Sequence, residues 1–180
     1  MSSVHIFDER KTGTALQHSD DPARIAELLR AVGVRFEQWQ AQQPVIAGAS
    51  QDEVMAAYRG AIDRLVTEEG YQTVDVISLN ASHPDKDALR RKFLSEHTHS
   101  EDEVRFFVAG RGLFSLHIDD RVYEVLCEKG DLISVPANTR HWFDMGSQPD
   151  FVAIRFFNNP EGWVAHYTGD DIAARCSRLD

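Results

Sequence analysis

The 180-residue chain has only two cysteines, and their positions exclude two classes of site. Cys127 and Cys176 stand far apart in the sequence. They lack the CxxC spacing of a zinc or redox site, and two cysteines are too few for a disulfide scaffold. We interpret both as buried or surface thiols and assign neither a functional role.

Positive charge is also scarce in this sequence. Lysine and arginine number 19 against 29 aspartates and glutamates, the formal net charge is -10, and the one basic run is Arg90-Arg91-Lys92. Such a chain has little affinity for phosphate backbones or anionic lipids, so we expect neither a nucleic-acid nor a membrane partner. No run of about 18 apolar residues is present, and Met1–Ile6 do not begin a signal peptide. We therefore expect a cytoplasmic protein.

Length and composition indicate one folded domain. Hydrophobic residues make up 42% of the chain and charged residues 27%, which is ordinary globular usage. No linker rich in proline, glycine or serine divides the sequence. We predict a single domain over residues 1–180. It would have a helical N-terminal elaboration over 1–72, a β-barrel core over 73–165 and a C-terminal tail over 166–180.

Two helices are predicted in the N-terminal elaboration. The first begins at Asp20-Asp21-Pro22, where an acidic N-cap precedes a proline suited to the first turn, and it ends near Gly33. The second begins at the capping box Ser50-Gln51-Asp52-Glu53 and ends at Gly70. We therefore expect the first 70 residues to be helical and to cover the rest of the protein.

Strand-like alternation dominates after Gly70. A strand from Val74 to Leu79 and a short helix from Pro84 to about Lys92 come first. The later predicted strands are Glu103 to Val108, Gly112 to Ile118, Arg121 to Leu126, Asp131 to Val135 and Phe151 to Phe157. Short strands separated by turn signals are typical of an antiparallel barrel or jelly roll. The predicted fold class is mainly β (α+β).

Three potential metal ligands lie within seven positions of one segment: His97, His99 and Glu103. All three have odd numbers, and side chains at alternate positions of a strand leave the same face, so the three can converge on one ion. Two histidines and a carboxylate are the facial ligand set typical of non-haem iron. An isolated HxH, in contrast, would be no more than a solvated pair on a strand.

A fourth ligand is predicted in a second segment, Gly130 to His141. This segment ends a strand, turns at Pro136 and presents His141 at the start of the next element. The two segments resemble the paired motifs of the cupins, whose fold is a double-stranded β-helix. In the first, HxH is followed by three residues, Glu103, six residues and Gly110. The sequence departs from the cupin pattern at Arg91, Asn138 and Met145.

The predicted metal site leaves room for substrate beside it. Four protein ligands on an octahedral ion leave two adjacent positions, and ligation by nitrogen and oxygen suits Fe(II), Ni(II), Mn(II) or Co(II). Arg105 shares the parity of the ligands, so it is expected to hold an anionic substrate oxygen unless it pairs with Glu96 or Glu101. Apolar side chains expected to wall a pocket, or else to pack in the core, are Phe93, Phe107, Phe143 and Trp163.

Longer blocks of the sequence resemble the bacterial acireductone dioxygenases of methionine salvage. These blocks are Gly33–Trp39, Asp75–Leu79, Lys92–His99, Glu101–Val108, Ile133–Pro136, His141–Gly146, Asn159–Trp163 and Thr168–Asp171. The resemblance implies an enzyme that cleaves a methylthio-bearing enediol ketone with dioxygen. It also implies that Glu96, Glu101 and Arg105 assist catalysis and that Phe93, Phe143 and Trp163 lie near the pocket.

The same resemblance implies that the bound metal decides the products. With Fe(II) the expected products are the keto-acid precursor of methionine and formate. With Ni(II) they are methylthiopropionate, formate and carbon monoxide. The partners implied are the small-molecule acireductone and dioxygen, and we expect a monomer. Two alternatives stay open, namely another metal-dependent cupin oxidoreductase and a cupin that binds a small ligand without catalysis.

Overall fold

Eleven strands and four helices make up the structure, a computed structural model that covers residues 1–180. In chain order they are β1 (Ser3–Asp8), β2 (Ala15–Ser19), α1 (Pro22–Arg30), β3 (Arg35–Gln38), α2 (Gln51–Ala57), α3 (Arg59–Glu69), β4 (Thr73–Leu79), α4 (Lys86–Leu94), β5 (His97–Thr98), β6 (Glu103–Ile118), β7 (Arg121–Glu128), β8 (Asp131–Val135), β9 (Arg140–Asp144), β10 (Phe151–Phe157) and β11 (His166–Tyr167). Short 3-10 helices lie at Pro160–Trp163 and Ile172–Arg175. None of the four α-helices is long and apolar enough to cross a membrane.

Strand β6 belongs to two sheets and joins them. Its first half pairs with β10 and β8, and its second half pairs with β7 and β9. One sheet has the strand order β4-β10-β6-β8-β3, and the other has the order β11-β5-β9-β6-β7-β1-β2. All of these pairings are antiparallel, and the predicted β-rich barrel is confirmed.

The prediction of two separate strands between Glu103 and Ile118 is wrong, because β6 is continuous. Gly110, at the point where β6 changes partners, has a φ of 65°. A Cβ atom there would lie 1.7 Å from the carbonyl oxygen of Asp150. Glycine therefore lets the strand bend sharply against its neighbour without breaking the hydrogen-bond ladder.

The expectation that the first 70 residues are helical is wrong for three stretches, β1, β2 and β3. β1 pairs with β7, β2 extends the same sheet, and β3 pairs with β8. The predicted starts of both helices and the end at Gly70 are confirmed, whereas α1 ends at Arg30, before the glycine that was predicted to end it. Asp21 caps α1, Ser50 and Glu53 form the capping box of α2, and Gly70 ends α3 in the left-handed region. β2 and β3 are short strands at the edges of their sheets, where few residues show a clear period, whereas β1 lies between β7 and β2.

Helices α2 and α3 cover the outer face of β6. The apolar residues of β6 on this face are Val104, Phe106 and Val108, and they cluster with buried residues of both helices. The predicted second helix is interrupted at Tyr58, whose ring meets the face of Phe106 edge-on at 5.8 Å between centroids. Covering this face leaves alternate residues of β6 facing the interior of the barrel. The division of the chain into a single domain with these three parts stays a prediction.

Candidate metal centre

A cavity of about 380 Å³ opens inside the barrel, between β4, β6, β9, β10 and helix α4. Half of its 18 lining residues are hydrophobic. The apolar lining consists of Val76, Ile77, Leu79, Leu89, Phe93, Phe143, Phe157, Trp163 and Ala165. The size and the mixture of apolar walls with a few polar groups are those of a small-molecule site.

Three histidines converge on one side of this cavity. His97 on β5 lies directly opposite His141 on β9, and His99 follows one residue after β5. Their ring centroids lie 4.5 to 5.1 Å apart, and one ring nitrogen from each lies within 4.8 Å of the others. The predicted approach of His141 to His97 is therefore seen in the structure.

Each of these imidazoles is oriented by a backbone carbonyl. The Nδ1 of His97 lies 2.6 Å from Ser95 O, that of His99 lies 3.1 Å from Val164 O, and that of His141 lies 2.8 Å from Thr139 O. A carbonyl oxygen can only accept, so Nδ1 carries the hydrogen in all three contacts. Nε2 is then the ring nitrogen of each histidine that is left to bind a metal.

Glu103 brings a carboxylate to the same point. Its Oε2 lies 2.8 Å from His141 Nε2 and 3.4 Å from His99 Nε2. Glu103 Oε2 and His141 Nε2 are both buried, yet neither has a hydrogen bond of acceptable geometry. Buried polar atoms are rarely left unsatisfied, and two such atoms aimed at a common point are what an absent cation would explain. The donor set of three nitrogens and one oxygen fits a divalent transition metal.

The charges around this point favour a cation. Burial alone would raise the pKa of Glu103, but Arg105 and the imidazoles of His141 and His99 hold it well below its usual value. Burial, with a smaller effect of His141, lowers the pKa of His97 to about 4. The centre therefore presents an ionised carboxylate beside a neutral imidazole, which are the protonation states that metal ligation requires.

The structure brings His97, His99 and Glu103 close together, although strand alternation explains this only in part. His97 lies in a strand and Glu103 begins another, but residues 99–102 form a bend between them. Strand alternation therefore does not run unbroken from His97 to Glu103. The bend and the pairing of β5 with β9 bring the side chains together instead.

Arg105 lies beside Glu103 and faces the cavity, with 4% of its surface exposed. Its Nε and Nη2 atoms lie 2.7 and 2.6 Å from Glu103 Oε1. The alternative ion pairs with Glu96 or Glu101 are wrong, because the partner is Glu103. The guanidinium lies 4.6 Å from the centre of the Phe143 ring and 5.0 Å from that of Phe114. Its Nη1 atom is buried and has no partner.

Comparison with known proteins identifies the family. A sequence model described as the ARD/ARD' family matches residues 3–165. The chain belongs to the ARD/ARD' family. Acireductone dioxygenase from Pseudomonas savastanoi pv. phaseolicola is 63% identical over 100% of this chain and 99% of its own. The acireductone dioxygenase from Alcanivorax borkumensis is 60% identical over 99% and 98% of the two chains.

A solved structure supports the same assignment. Acireductone dioxygenase from Bacillus anthracis, with a cadmium ion in its active centre, superposes with a TM-score of 0.80 at 33% identity. The match covers 93% of this chain and 98% of that one. The predicted cupin fold is thereby confirmed, and this member of the ARD/ARD' family is a metal-dependent dioxygenase.

The other residues predicted for the site divide into two groups. Phe93, Phe143 and Trp163 line the cavity. Phe107 does not line it, and instead packs in the core with Phe143 and Phe151. Phe107 has the same inward parity as Glu103 and Arg105, but it lies in the interior cluster that contains Phe114 and Phe151 and is absent from the cavity lining.

The two acids expected to assist catalysis also lie away from the cavity lining. Glu96 is buried behind the metal centre, where its carboxylate contacts His117 and Thr168. Glu101 packs against Gly162, so closely that a Cβ atom on that glycine would lie 2.6 Å from Glu101 Cγ. Neither carboxylate makes a hydrogen bond to a candidate ligand imidazole, because the Nδ1 atoms of all three rings donate to backbone carbonyls.

Sequence reasoning missed an ion pair in the cavity wall. Arg155 on β10 pairs in register with Arg105 and also lines the cavity. Its Nε and Nη2 atoms donate to Asp75 at 2.8 and 2.6 Å, and the guanidinium packs 4.9 Å from the centre of the Trp163 ring. The signal was present as a charged residue in the middle of each apolar strand, since such residues are rarely buried without a partner.

Proposed function

We propose that this protein cleaves an acireductone, a methylthio-bearing enediol ketone, with dioxygen at a single divalent metal. The observation that carries the proposal is the group of three imidazoles with free Nε2 atoms around the unsatisfied Oε2 of Glu103. The names of the related acireductone dioxygenases support the substrate class. The half-apolar cavity next to the ligands is consistent with a small substrate that has one polar and one apolar end.

The residues that would hold the ion are His97, His99, Glu103 and His141. We propose Fe(II) or Ni(II) as the metal, because a set of imidazoles and one carboxylate without thiolate suits both. The cadmium ion in the related Bacillus anthracis enzyme supports a divalent ion at this position. When bound, such an ion supplies Lewis-acid chemistry with open positions for a chelating substrate and dioxygen.

Arg105 would bind the anionic end of the substrate. Glu103 occupies its Nε and Nη2 atoms, while the buried Nη1 atom remains free to donate a hydrogen bond. A charge-assisted hydrogen bond inside a water-poor cavity is strong, and it would stabilise negative charge on a substrate oxygen. The contact with Glu103 fixes the guanidinium plane in advance, so little ordering is required when the substrate binds.

The apolar wall would hold the methylthio end and exclude water. Phe143 packs against Arg105 on one side of the cavity, and Trp163 packs against Phe157 on another, at 4.7 Å between centroids. Removing water from the cavity strengthens the electrostatic contacts to the substrate and limits side reactions. We further propose that the Fe(II) form yields the keto-acid precursor of methionine and formate. The Ni(II) form would yield methylthiopropionate, formate and carbon monoxide.

The test uses metal-free protein reloaded without oxygen with either Fe(II) or Ni(II). Synthetic acireductone and dioxygen are then added, and oxygen uptake, formate and carbon monoxide are measured. We expect oxygen uptake with both metals and carbon monoxide only with nickel. Metal-loaded protein that consumes no oxygen with this substrate would contradict the proposal. The expectations of a monomer and of a cytoplasmic location stay predictions.

A further inference from the structure

A second buried polar cluster lies behind the metal centre, outside the cavity. His117 on β6 is 3% exposed and lies between two carboxylates. Its Nδ1 is 2.6 Å from Glu96 Oε2, and its Nε2 is 2.7 Å from Glu9 Oε2.

The contacts of this cluster disfavour a second metal site. Asp170 also approaches Glu96 and His117, but one of its carboxylate oxygens caps the backbone N–H of Ile172 at 2.9 Å. Both ring nitrogens of His117 are already taken up by contacts with carboxylate oxygens, of Glu96 on one side and Glu9 on the other. No lone pair on His117 is then left for a metal, and the cluster is a satisfied hydrogen-bond network.

This network anchors the residue next to a proposed ligand. Glu96 directly precedes His97 in the chain, and it is 1% exposed. Its carboxylate also accepts from Thr168 Oγ1 at 2.7 Å, and its carbonyl oxygen accepts from the Thr168 backbone N–H at 3.1 Å. The Glu96 side chain is therefore held from β6 on one side and from the segment after β11 on the other.

Strand β5, which bears His97, is short and needs such an anchor. It has two residues and pairs only with β11 and with His141 of β9. The ring of His97 is oriented by the carbonyl of Ser95, which is the residue before Glu96. A change in the position of Glu96 would therefore shift both the backbone of His97 and the acceptor that orients its ring.

We propose that His117 is a positioning residue for the metal centre, which it serves by holding the Glu96 carboxylate and thereby the His97 imidazole. This inference rests on the metal centre described under the proposed function. Groups that orient metal ligands from behind contribute substantially to metal affinity. His117 would exert that effect indirectly, because it contacts the buried carboxylate of Glu96, and Glu96 is joined to His97 by a peptide bond.

The test measures the affinity of metal-free protein for Ni²⁺ by calorimetry, together with its melting temperature. His117→Leu leaves Glu96 with fewer partners, and we expect roughly a ten- to a hundredfold loss of Ni²⁺ affinity. Thr168→Val removes the other side-chain contact to Glu96 and should weaken binding in the same direction. His117→Asn keeps a donor near the position of Nδ1, so it should recover part of the affinity lost in His117→Leu.

Glu9→Gln is the matched control, because it changes only the outer contact of His117. Its Ni²⁺ affinity should stay within about threefold of the wild type. If His117→Leu and Thr168→Val lower the melting temperature but bind Ni²⁺ as tightly as the wild type, the network only stabilises the fold and the inference is overturned. Wild-type protein that binds no Ni²⁺ would instead refute the proposed metal centre itself.

Discussion

The three imidazoles of the candidate centre are oriented by main-chain carbonyls, at Ser95, Thr139 and Val164. Carboxylate acceptors would make the imidazoles more basic and would add negative charge next to the ion. Carbonyl acceptors fix the ring and the tautomer without adding a charge. Glu103 is then the one ionised group among the proposed ligands, and its Oε1 atom forms an ion pair with Arg105.

The buried His97 predicts how the stability of the metal-free protein depends on pH. The folded-state pKa is about 4, because burial and the neighbouring His141 lower it from 6.5. Below about pH 6.5, His97 binds a proton in the unfolded chain but not in the folded chain. The free energy of unfolding therefore decreases as the pH falls towards 4. The contribution of this group is at most about 3 kcal/mol.

Urea unfolding of the metal-free protein at several pH values between about 7.5 and 4.5 measures this dependence. The matched control is His97→Gln, which removes the titrating group at similar size. The wild type should lose more unfolding free energy than His97→Gln as the pH falls, so the difference between the two proteins should change with pH. A difference that is constant over this range would show that His97 takes up its proton equally well in the folded state.

Glu103 is predicted to be essential for both metal binding and stability. Glu103→Gln removes the only ionised ligand and leaves the buried guanidinium of Arg105 without an anion. Leaving one partner of a buried ion pair unpaired costs about 3–5 kcal/mol. We expect the variant to lose its metal by elemental analysis and to unfold at lower urea concentration. Full metal occupancy would remove this carboxylate from the ligand set.

Arg105 is predicted to affect turnover far more than metal content. Arg105→Met keeps apolar bulk between Phe143 and Phe114 but removes the donor that faces the cavity. Loss of one such donor typically lowers kcat by about a hundredfold or more. We expect normal metal content by elemental analysis and a matching loss of kcat with acireductone. An unchanged kcat would show that the arginine supports structure alone.

At the scale of elements, the sequence predicted what local patterns determine. The end of α3 at Gly70 and the cap of α2 at Ser50 follow from neighbouring residues, and both are confirmed. Strands β1 and β3 have no such capping signal at their ends. They form because they pair with β7 and β8, which are distant in the sequence. Long-range pairing overrides local preference in such short segments.

The contrast between local patterns and long-range pairing also explains which parts of the candidate site were predicted from the sequence. Spacing was enough to group the candidate ligands, because each of the two motifs is a local pattern. The four side chains, His97, His99, Glu103 and His141, all line the cavity. The Glu96–His117 contact joins residues 21 positions apart and could not be inferred from spacing. It depends on how β5 lies against β6, which only the three-dimensional structure reveals.

Gly110 is the element-scale position with the clearest predicted effect. Gly110→Ala would force a non-glycine residue to a φ of 65° and set a methyl group against the carbonyl of Asp150. We expect a loss of at least about 3 kcal/mol, because backbone strain and steric overlap act together. Chemical unfolding followed by circular dichroism measures it.

Gly70→Ala is the matched control for this substitution. Gly70 has a φ of 75°, but a Cβ atom there would meet nothing within 4 Å. Conformational strain alone then predicts a cost of about 1 kcal/mol. Equal losses in the two variants would show that the bend of β6 relaxes to accept the methyl group.

At the scale of the whole molecule, the proposed ligands come from both sheets. His97 and His141 lie on paired strands of one sheet, whereas Glu103 lies in the half of β6 that pairs with β8 in the other. A bound ion would therefore connect side chains from the two sheets. Binding of this kind exists only in the folded state, so metal and fold stability are linked.

This linkage predicts that the metal raises the melting temperature of the wild-type protein. Free Ni²⁺ at a hundred times its dissociation constant adds about 2.7 kcal/mol to the free energy of unfolding. For a chain of this length, that corresponds to an increase of about 5–10 °C in Tm, which calorimetry or circular dichroism with and without a chelator can measure. Glu103→Gln, which lacks the ligand from the second sheet, should show little increase at the same Ni²⁺ concentration. An equal increase in both proteins would mean that Ni²⁺ stabilises the fold by binding elsewhere, and the four proposed ligands would not account for the linkage between metal and stability.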